Sequence, residues 1–508
     1  MIHRRTLLRA GATAGAVAGL GAAAAPWAAG AAEARTPWGS LRARLGGELV
    51  LPGDPSYATA KQLQMARYDS VLPRGIAYCA SVADVTSCVR FAQDHGLATA
   101  VRSGGHSQAG YSTSTGLVID VSRLNGVRPG DGTVRVGAGG QSVDIINSLA
   151  RYGIQVSSGT CPTVAVGGWL QGGGFGLTAR KFGMGADRLV SARVVLANGS
   201  AVRCSATEHP DLYWALRGGG GGNFGVVTEY EVRPVQVPSV VLYNLTFDGG
   251  QAVEVVRAWQ EWIAQGPREL AGELFLLLPE DSPAGTPPTV VVSGGYLGSR
   301  DACDRVLDRL ADGLGLRPAS REVDELPYQQ ALMTVFGCAD RTVAECHRVG
   351  YSPHARLPRE NWATYRNTFF SRPWTRATAE AAVSALVSDP APGQFRFLGL
   401  FAYGGRVNDP APTDTAFVHR DSLFEAGFQV GLADAEPAPE QRDRAQSWVD
   451  TGYATLAAAS GGRSYQNYMD PALTNWRQAY YGQNYPRLRT VKRAYDPYRF
   501  FRFPQSVD

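Results

Sequence analysis

Residues 101–112, VRSGGHSQAGYS, and 158–176, SGTCPTVAVGGWLQGGGFG, decide how this chain is read. Each is a glycine-rich run that carries one nucleophilic side chain: His106 between Gly105 and Ser107, and Cys161 just ahead of a glycine cluster. Glycine lets backbone approach a ligand closely and take up positive φ, and consecutive N–H groups in such turns cradle anions. A histidine or cysteine held there is a nucleophile that an electrophilic ligand can trap. The two runs therefore suit the wrapping of a large phosphorylated ligand.

Outward from these runs, the segment from about Pro73 to Val237 alternates strand and helix. Ser81 with Asp84 opens a helix over SVADVTSCVRFAQDHG in the manner of a capping box, with Val82, Val85, Val89 and Phe91 on one side. ATAVRS, GLVIDVS and TVRVGAG read as strands, and VDIINSLARYG as the helix leading to the Cys161 run. VSARVVLANGSAVRC reads as a hairpin turning at Asn198-Gly199, followed by a short helix, HPDLYWALRGG, and a strand, FGVVTEYEVRP. From about Pro238 the pattern changes to strands VVLYNLTF, LFLLLP and TVVVSGGYLG with helices VEVVRAWQEWIAQ and DACDRVLDRLADGL. That suits an antiparallel sheet backed by helices. The fold class is α+β.

The chain has 508 residues, enough for two or three lobes and a large core. Its formal net charge of +4 is small for that length and gives no reason to expect nucleic acid or an acidic membrane as partner. The 60 glycines and 30 prolines are spread along the chain, as in a turn-rich globular enzyme. Arg4 and Arg5, followed by an Ala/Gly-rich stretch to about Ala32, read as a twin-arginine export signal, too weakly hydrophobic to hold as a membrane anchor. Export in the folded state suits a protein that acquires its cofactor first. Of seven cysteines, none forms a CxxC pair, which argues against structural zinc, and Cys338 with Cys346 are candidates for a disulfide.

Gly220, Gly222 and Gly225 match G-x-G-x-x-G formally, but a helix precedes them and a strand follows. The dinucleotide fingerprint needs the reverse order, so the classical mononucleotide fold is rejected.

The two opening runs, together with Tyr465-Gln466-Asn467-Tyr468 and the C-terminal stretch from about Gly461, resemble the vanillyl-alcohol-oxidase-like flavoproteins with a PCMH-type FAD-binding domain. Within them they resemble the berberine-bridge branch and its bacterial sugar and aclacinomycin-type oxidoreductases. The resemblance implies a signal peptide at 1–32, a two-lobed FAD domain at 33–237, a substrate domain at 238–455 and a segment at 456–508 that returns to the FAD domain. It implies FAD held bicovalently, by His106 at the flavin C8 methyl and Cys161 at C6. Arg102, Ser103, Gly104 and Gly105, with Ser107 and Gly110, stand at the family's pyrophosphate loop. Gly159, Thr160, Val164, Gly167, Gly168, Gly172, Gly173 and Gly176 belong to the second loop, Val226 and Val227 to the adenosine end. Asn484 is expected to hydrogen-bond on the flavin side. Val164 stands where oxygen-reactive relatives carry valine, which favours an oxidase.

Oxidising an alcohol by hydride transfer requires a base for the hydroxyl proton. The resemblance gives that role to Tyr468, with Tyr465 as helper, through a phenol pKa lowered from about 10. The chain departs from the family at Ala165, which replaces a glycine, and at Trp169, where many relatives carry a histidine. Around Gly427, Phe428 and Gln429 no tyrosine or glutamate occupies the expected second position, leaving Gln429 and His419 as candidate substrate contacts.

The resulting expectation is an exported FAD oxidase that takes hydride from a C–OH group of a sugar, oligosaccharide or glycosylated natural product and returns electrons to O2. No metal is expected, and oligomeric state has no reading here. Two rivals stand beside it: an oxidative cyclase or dehydrogenase tailoring a polyketide or alkaloid-like metabolite, and an inactive secreted binding protein of the same fold.

Overall fold

The computed structural model describes residues 36–283, 285–315 and 317–508, so the expected signal at 1–32 lies outside the described residues. The first unit holds two main sheets and a short antiparallel pairing of Ile154–Gln155 with Val235–Gln236. In the four-stranded sheet, Glu48–Val50, Gly75–Tyr78, Leu117–Asp120 and Thr99–Arg102 lie in that order. The last three are parallel. Parallel neighbours need a crossover, and the helix Val82–Asp94 provides it. The Ser81 hydroxyl caps that helix by accepting from the Asp84 N–H at 3.1 Å, and Val85, Cys88, Val89, Phe91 and Ala92 form its buried face.

The second sheet is antiparallel, in the order Val127–Pro129, Val134–Gly137, Val226–Val232, Leu189–Val195, Ala201–Ser205. Its last two strands are the Asn198-Gly199 hairpin, with Gly199 at φ +75°. Val226–Val232 occupies the centre of this sheet, with Val226, Thr228, Tyr230 and Val232 buried on one face and Glu229 and Glu231 half-buried on the other.

The third sheet has seven antiparallel strands: Ser320–Pro327, Ser239–Phe247, Thr289–Tyr296, Leu270–Leu278, Gln394–Ala402, Phe424–Leu432 and Trp362–Phe370. Period-two patterning splits its faces. In Leu270–Leu278, Leu270, Leu274, Leu276 and Leu278 are buried, while Ala271, Glu273, Phe275 and Leu277 are half-buried on the opposite face. The first set packs with Val255, Val256, Trp259 and Ile263 of the helix Ala252–Gln265, and with residues of Arg300–Leu314, Arg376–Val387 and Pro439–Ser460. The other face looks back toward the first unit.

The helix Pro439–Ser460 stays on this sheet, and the chain then returns. Trp476, Tyr480, Tyr481, Leu488, Val491 and Phe501 join the core of the first unit beside Trp214 and Phe224. The return is fixed by one buried cation. Lys492 Nζ donates to Asp496 Oδ2 at 2.7 Å and to the carbonyls of Asn223 and Phe501 at 2.6 Å each. Asp496 in turn accepts from the N–H groups of Phe500 and Phe501. Burial pushes the lysine pKa down, and the carboxylate beside it opposes that shift.

Candidate active site

A cavity of about 2020 Å³ runs between the first unit and the inner face of the seven-stranded sheet. Pockets for single drug-sized ligands span roughly 300–1,000 Å³, so this one has room for a dinucleotide and a substrate together. Both glycine-rich runs are on its wall.

The first run leaves the strand Thr99–Arg102 and turns under the second. A Cβ on Gly104 would come within 2.7 Å of the Ala165 nitrogen and 2.9 Å of the Thr163 oxygen, so only glycine lets the two runs meet there. Gly105 has φ +70°, and Ser103 Oγ donates to the Ala138 carbonyl at 2.6 Å. The N–H groups of Ser103, Gly104 and Gly105 make no hydrogen bond with another described residue. Backbone donors left unpaired on a cavity wall call for an acceptor from outside the chain. His106 sits next to them, with Nε2 2.8 Å from Thr163 Oγ1. That bond sets the ring's orientation and turns Nδ1 away from Thr163.

Cys161 lies on the same wall and is half-buried. Cys338 and Cys346 form a disulfide, and the remaining thiols, Cys79, Cys88, Cys204 and Cys303, are all buried. Cys161 is therefore the thiol that the cavity reaches. Ser107, Gly159, Thr160, Val164, Gly167, Gly168, Gly176 and Val227 also line the cavity. Trp169 reaches it with a fixed ring: its Nε1–H donates to the Phe175 carbonyl at 3.1 Å, and the ring rests on Gly174 and Gly185. The indole N–H is thus spent inside the protein.

Six expected contacts are off the wall, and each has a structural role instead. The Arg102 side chain pairs with Asp120 beneath the loop and donates to the Ala60 carbonyl. Gly110, at φ +74°, makes room for the Tyr68 ring. A Cβ on Gly172 would fall 1.9 Å from Asn467 Oδ1, and one on Gly173 would strike Phe417. Val226 is fully buried in the core. Asn484, placed by the sequence on the flavin side, is a backbone clamp whose Nδ2 donates to the carbonyls of Pro412 at 2.7 Å and Thr415 at 3.1 Å. His419 is likewise fully buried, stacked on Phe369 at 4.4 Å, and does not reach the cavity.

The Tyr465 to Tyr468 segment docks through its polar members. Asn467 Nδ2 donates to the Trp169 carbonyl at 3.0 Å and to Tyr465 Oη at 3.0 Å. Tyr465 Oη also accepts from the N–H groups of Gly174 and Phe175. With three donors on its oxygen and 2% exposure, Tyr465 holds the segment in place. Tyr468 is half-buried on the cavity wall, and its hydroxyl makes no hydrogen bond with a described residue. Burial, then the nearby carboxyl of Glu425, push its pKa up. The expected lowering is corrected: among the described residues, the groups that act on this phenol raise its pKa and none is a cation favouring its anion.

The second side chain that the sequence did not place comes from the sheet. Tyr365, cross-strand partner of Gln429, lines the cavity with it, and its hydroxyl donates to Glu425 Oε1 at 2.6 Å. The ring gets there because position 427 is glycine: a Cβ on Gly427 would lie 2.6 Å from Tyr365 Oη. Glu425 is 1% exposed and its Oε2 has no hydrogen-bond partner among the described residues. Burial pushes its carboxyl up to about 8. Tyr365 and Tyr468 meet edge to face, with centroids 5.6 Å apart.

Comparison with known proteins decides the family. Residues 73–205 match the profile of an FAD binding domain and residues 464–508 that described as berberine and berberine like. The chain is 30% identical over 450 residues to the chitooligosaccharide oxidase of Gibberella zeae, covering 86% of this chain and 87% of that one. It belongs to the berberine-bridge-like FAD-linked oxidases. The aclacinomycin-N/aclacinomycin-A oxidase of Streptomyces galilaeus is 29% identical over 511 residues, with 87% and 88% of the chains covered. The fold superposes on Physcomitrella patens BBE-like 1 with a TM-score of 0.82 at 24% identity, over 92% of this chain and 98% of that one. The enzyme is thus an FAD-dependent oxidase acting on a small molecule. FAD fits this wall, since the unpaired N–H groups of Ser103 to Gly105 offer themselves to a pyrophosphate.

Proposed function

We propose that the enzyme binds FAD through both His106 and Cys161 and oxidises a C–OH group of a sugar, an oligosaccharide or a glycosylated natural product, with O2 as electron acceptor. One observation carries this reading. His106 and Cys161 share a cavity wall, and the same cavity is lined by Tyr468 and by Tyr365 with its buried carboxyl partner.

Bound flavin supplies a hydride acceptor that oxygen regenerates with release of hydrogen peroxide. The chain's own task is the proton. Tyr468, with an uncommitted hydroxyl, orients the substrate hydroxyl. Tyr365 takes its proton while passing its own along the 2.6 Å bond to Glu425. With its carboxyl titrating near 8, Glu425 is the carboxylate above that pH and there accepts a proton far more readily than a phenol in an apolar wall. Cys161 and His106, nucleophiles opening on one wall, would hold the cofactor there and leave the sheet side of the cavity to the substrate.

Acid precipitation and proteolysis of the purified enzyme tests the attachment. Yellow chromophore on peptides containing both His106 and Cys161 is the expected result, and flavin released entirely into the supernatant would refute it. The same reading takes residues 1–32 as a twin-arginine signal. Replacing Arg4 and Arg5 by Lys then retains the protein inside the cell, and undiminished export would remove that part.

A further inference from the structure

Glu425 is tied to Tyr365 through one carboxyl oxygen, and the other, Oε2, is buried with no hydrogen-bond partner among the described residues. A second orphan lies on the same face of the sheet. The hydroxyl of Tyr403, a residue with no exposed surface, also has no partner among the described residues. Leaving a buried donor or acceptor unpaired costs as much as a hydrogen bond or more, so folded proteins ordinarily satisfy both.

The register brings the two together. Glu425 pairs with Phe401 on one side and with Phe369 on the other. Tyr403 extends the strand Gln394–Ala402, with its N–H on the Leu423 carbonyl at 2.8 Å. It stands two residues beyond Phe401, hence on the face of Glu425, as a diagonal neighbour within reach of long side chains. Its ring stacks on Phe175 at 4.1 Å and meets Phe369 edge to face at 4.9 Å. Tyr365 thus reaches the carboxyl from the Gly427 side, while Tyr403 stands on the Leu423 side.

The ionisable groups that act with Glu425 among the described residues are phenols: Tyr365, Tyr403, Tyr465 and Tyr468. Glu273 lies across Phe401 on the same face. His419, stacked on Phe369, is kept neutral by burial, with its pKa down to about 3. The Arg180 guanidinium is committed to the backbone carbonyls of Tyr403, Ile263 and Gly266. Hydrogen bonds, rather than a cation, are therefore what steadies a Glu425 anion.

Resting on the proposed C–OH oxidation, we infer that one enclosed water molecule is held between Glu425 Oε2 and the Tyr403 hydroxyl, which makes Tyr403 a positioning residue for the proton step. Polar atoms that face each other beyond direct hydrogen-bond distance are commonly joined in this way. The water donates to Oε2 while Glu425 is charged. When Tyr365 takes the substrate proton and passes its own to Glu425, the acid donates to the water instead. One proton leaves the substrate, one arrives on the carboxyl, and Tyr365 ends as it began.

The test compares the holoenzyme with Tyr403→Phe, which keeps the ring against Phe175 and Phe369 and removes a hydroxyl that bonds no described residue. Infrared spectra of the oxidised enzyme across pH give the C=O stretch of the buried acid, identified as the band that Glu425→Gln deletes. In Tyr403→Phe this band should move to higher frequency. Its titration midpoint should rise by about one pH unit, because the charged form loses a hydrogen bond. Single-turnover flavin reduction by methyl hexosides or cellobiose, at a fixed pH below the midpoint, should then slow about tenfold, the same change read as a rate. A band and midpoint unchanged in Tyr403→Phe would overturn the inference. A shifted band in an enzyme whose flavin no sugar bleaches would retain the link between Tyr403 and Glu425 and refute the C–OH reading.

Discussion

Tyr365 and Glu425 share a 2.6 Å hydrogen bond on adjacent strands of the substrate sheet, and the other carboxyl oxygen has no hydrogen-bond partner among the described residues. This makes a phenol on a cavity wall the outlet of a carboxyl that bulk water does not reach. Burial has raised the acid to about 8. Its basic form is therefore present above that pH and lost as pH falls through it. Flavin reduction measured in single turnovers should rise with pH to a plateau with a midpoint near 8. Glu425→Gln should flatten this rise and slow reduction by at least about a hundredfold, the lower range of general-base catalysis. A profile unchanged in the variant would take Glu425 out of the proton path.

Tyr468→Phe should also slow flavin reduction by about a hundredfold or more, because the substrate hydroxyl loses its orienting partner. Tyr465→Phe should act differently. It removes the acceptor of three hydrogen bonds, so the variant should lose thermal stability as well as rate. Equal melting temperatures for the two variants would contradict the division of labour drawn here.

The bond between His106 Nε2 and Thr163 Oγ1 orients the imidazole at the wall. Thr163→Val keeps the shape and removes the hydroxyl. Intact-protein and peptide mass should show less flavin on His106, with attachment at Cys161 retained. His106→Ala and Cys161→Ala should each leave singly attached flavin. Full attachment in Thr163→Val would reduce Thr163 to packing.

Lys492 and Asp496 form a buried pair whose side chains are 1% and 0% exposed. Removing one partner strands the other charge, which costs about 3–5 kcal/mol. Asp496→Ala should shift the denaturant midpoint accordingly, and a change below about 1 kcal/mol would argue that the pair is not maintained in solution.

What could be read from the sequence was what is local. The glycine runs around His106 and Cys161 carry their chemistry within a few consecutive residues, and the capped helix at Ser81 and the hairpin at Asn198-Gly199 are local in the same sense. Asn484 and Gly172 were misread because their partners, Pro412 and Asn467, lie far away in the chain. Tyr365 and Glu425 were missed for a further reason. They come together only through the register of two strands and the missing side chain at Gly427. A glutamate two residues before a glycine in a strand is unremarkable until a neighbouring tyrosine is known to cross that gap. The pKa of Tyr468 likewise depended on which charges the fold would set beside it, and the fold supplied a carboxyl.

Asn467 donates to the Trp169 carbonyl across 298 residues of chain. At about 5–20 residues per second of synthesis, roughly a quarter of a minute to a minute separates the translation of the second glycine loop from that of the tyrosine segment that docks on it. The cofactor cradle is therefore made first and the segment bearing Tyr468 last. The reactive chemistry waits for the far end of the polypeptide, whose Trp476, Tyr480, Tyr481 and Leu488 also complete the core of the unit that carries the glycine loops.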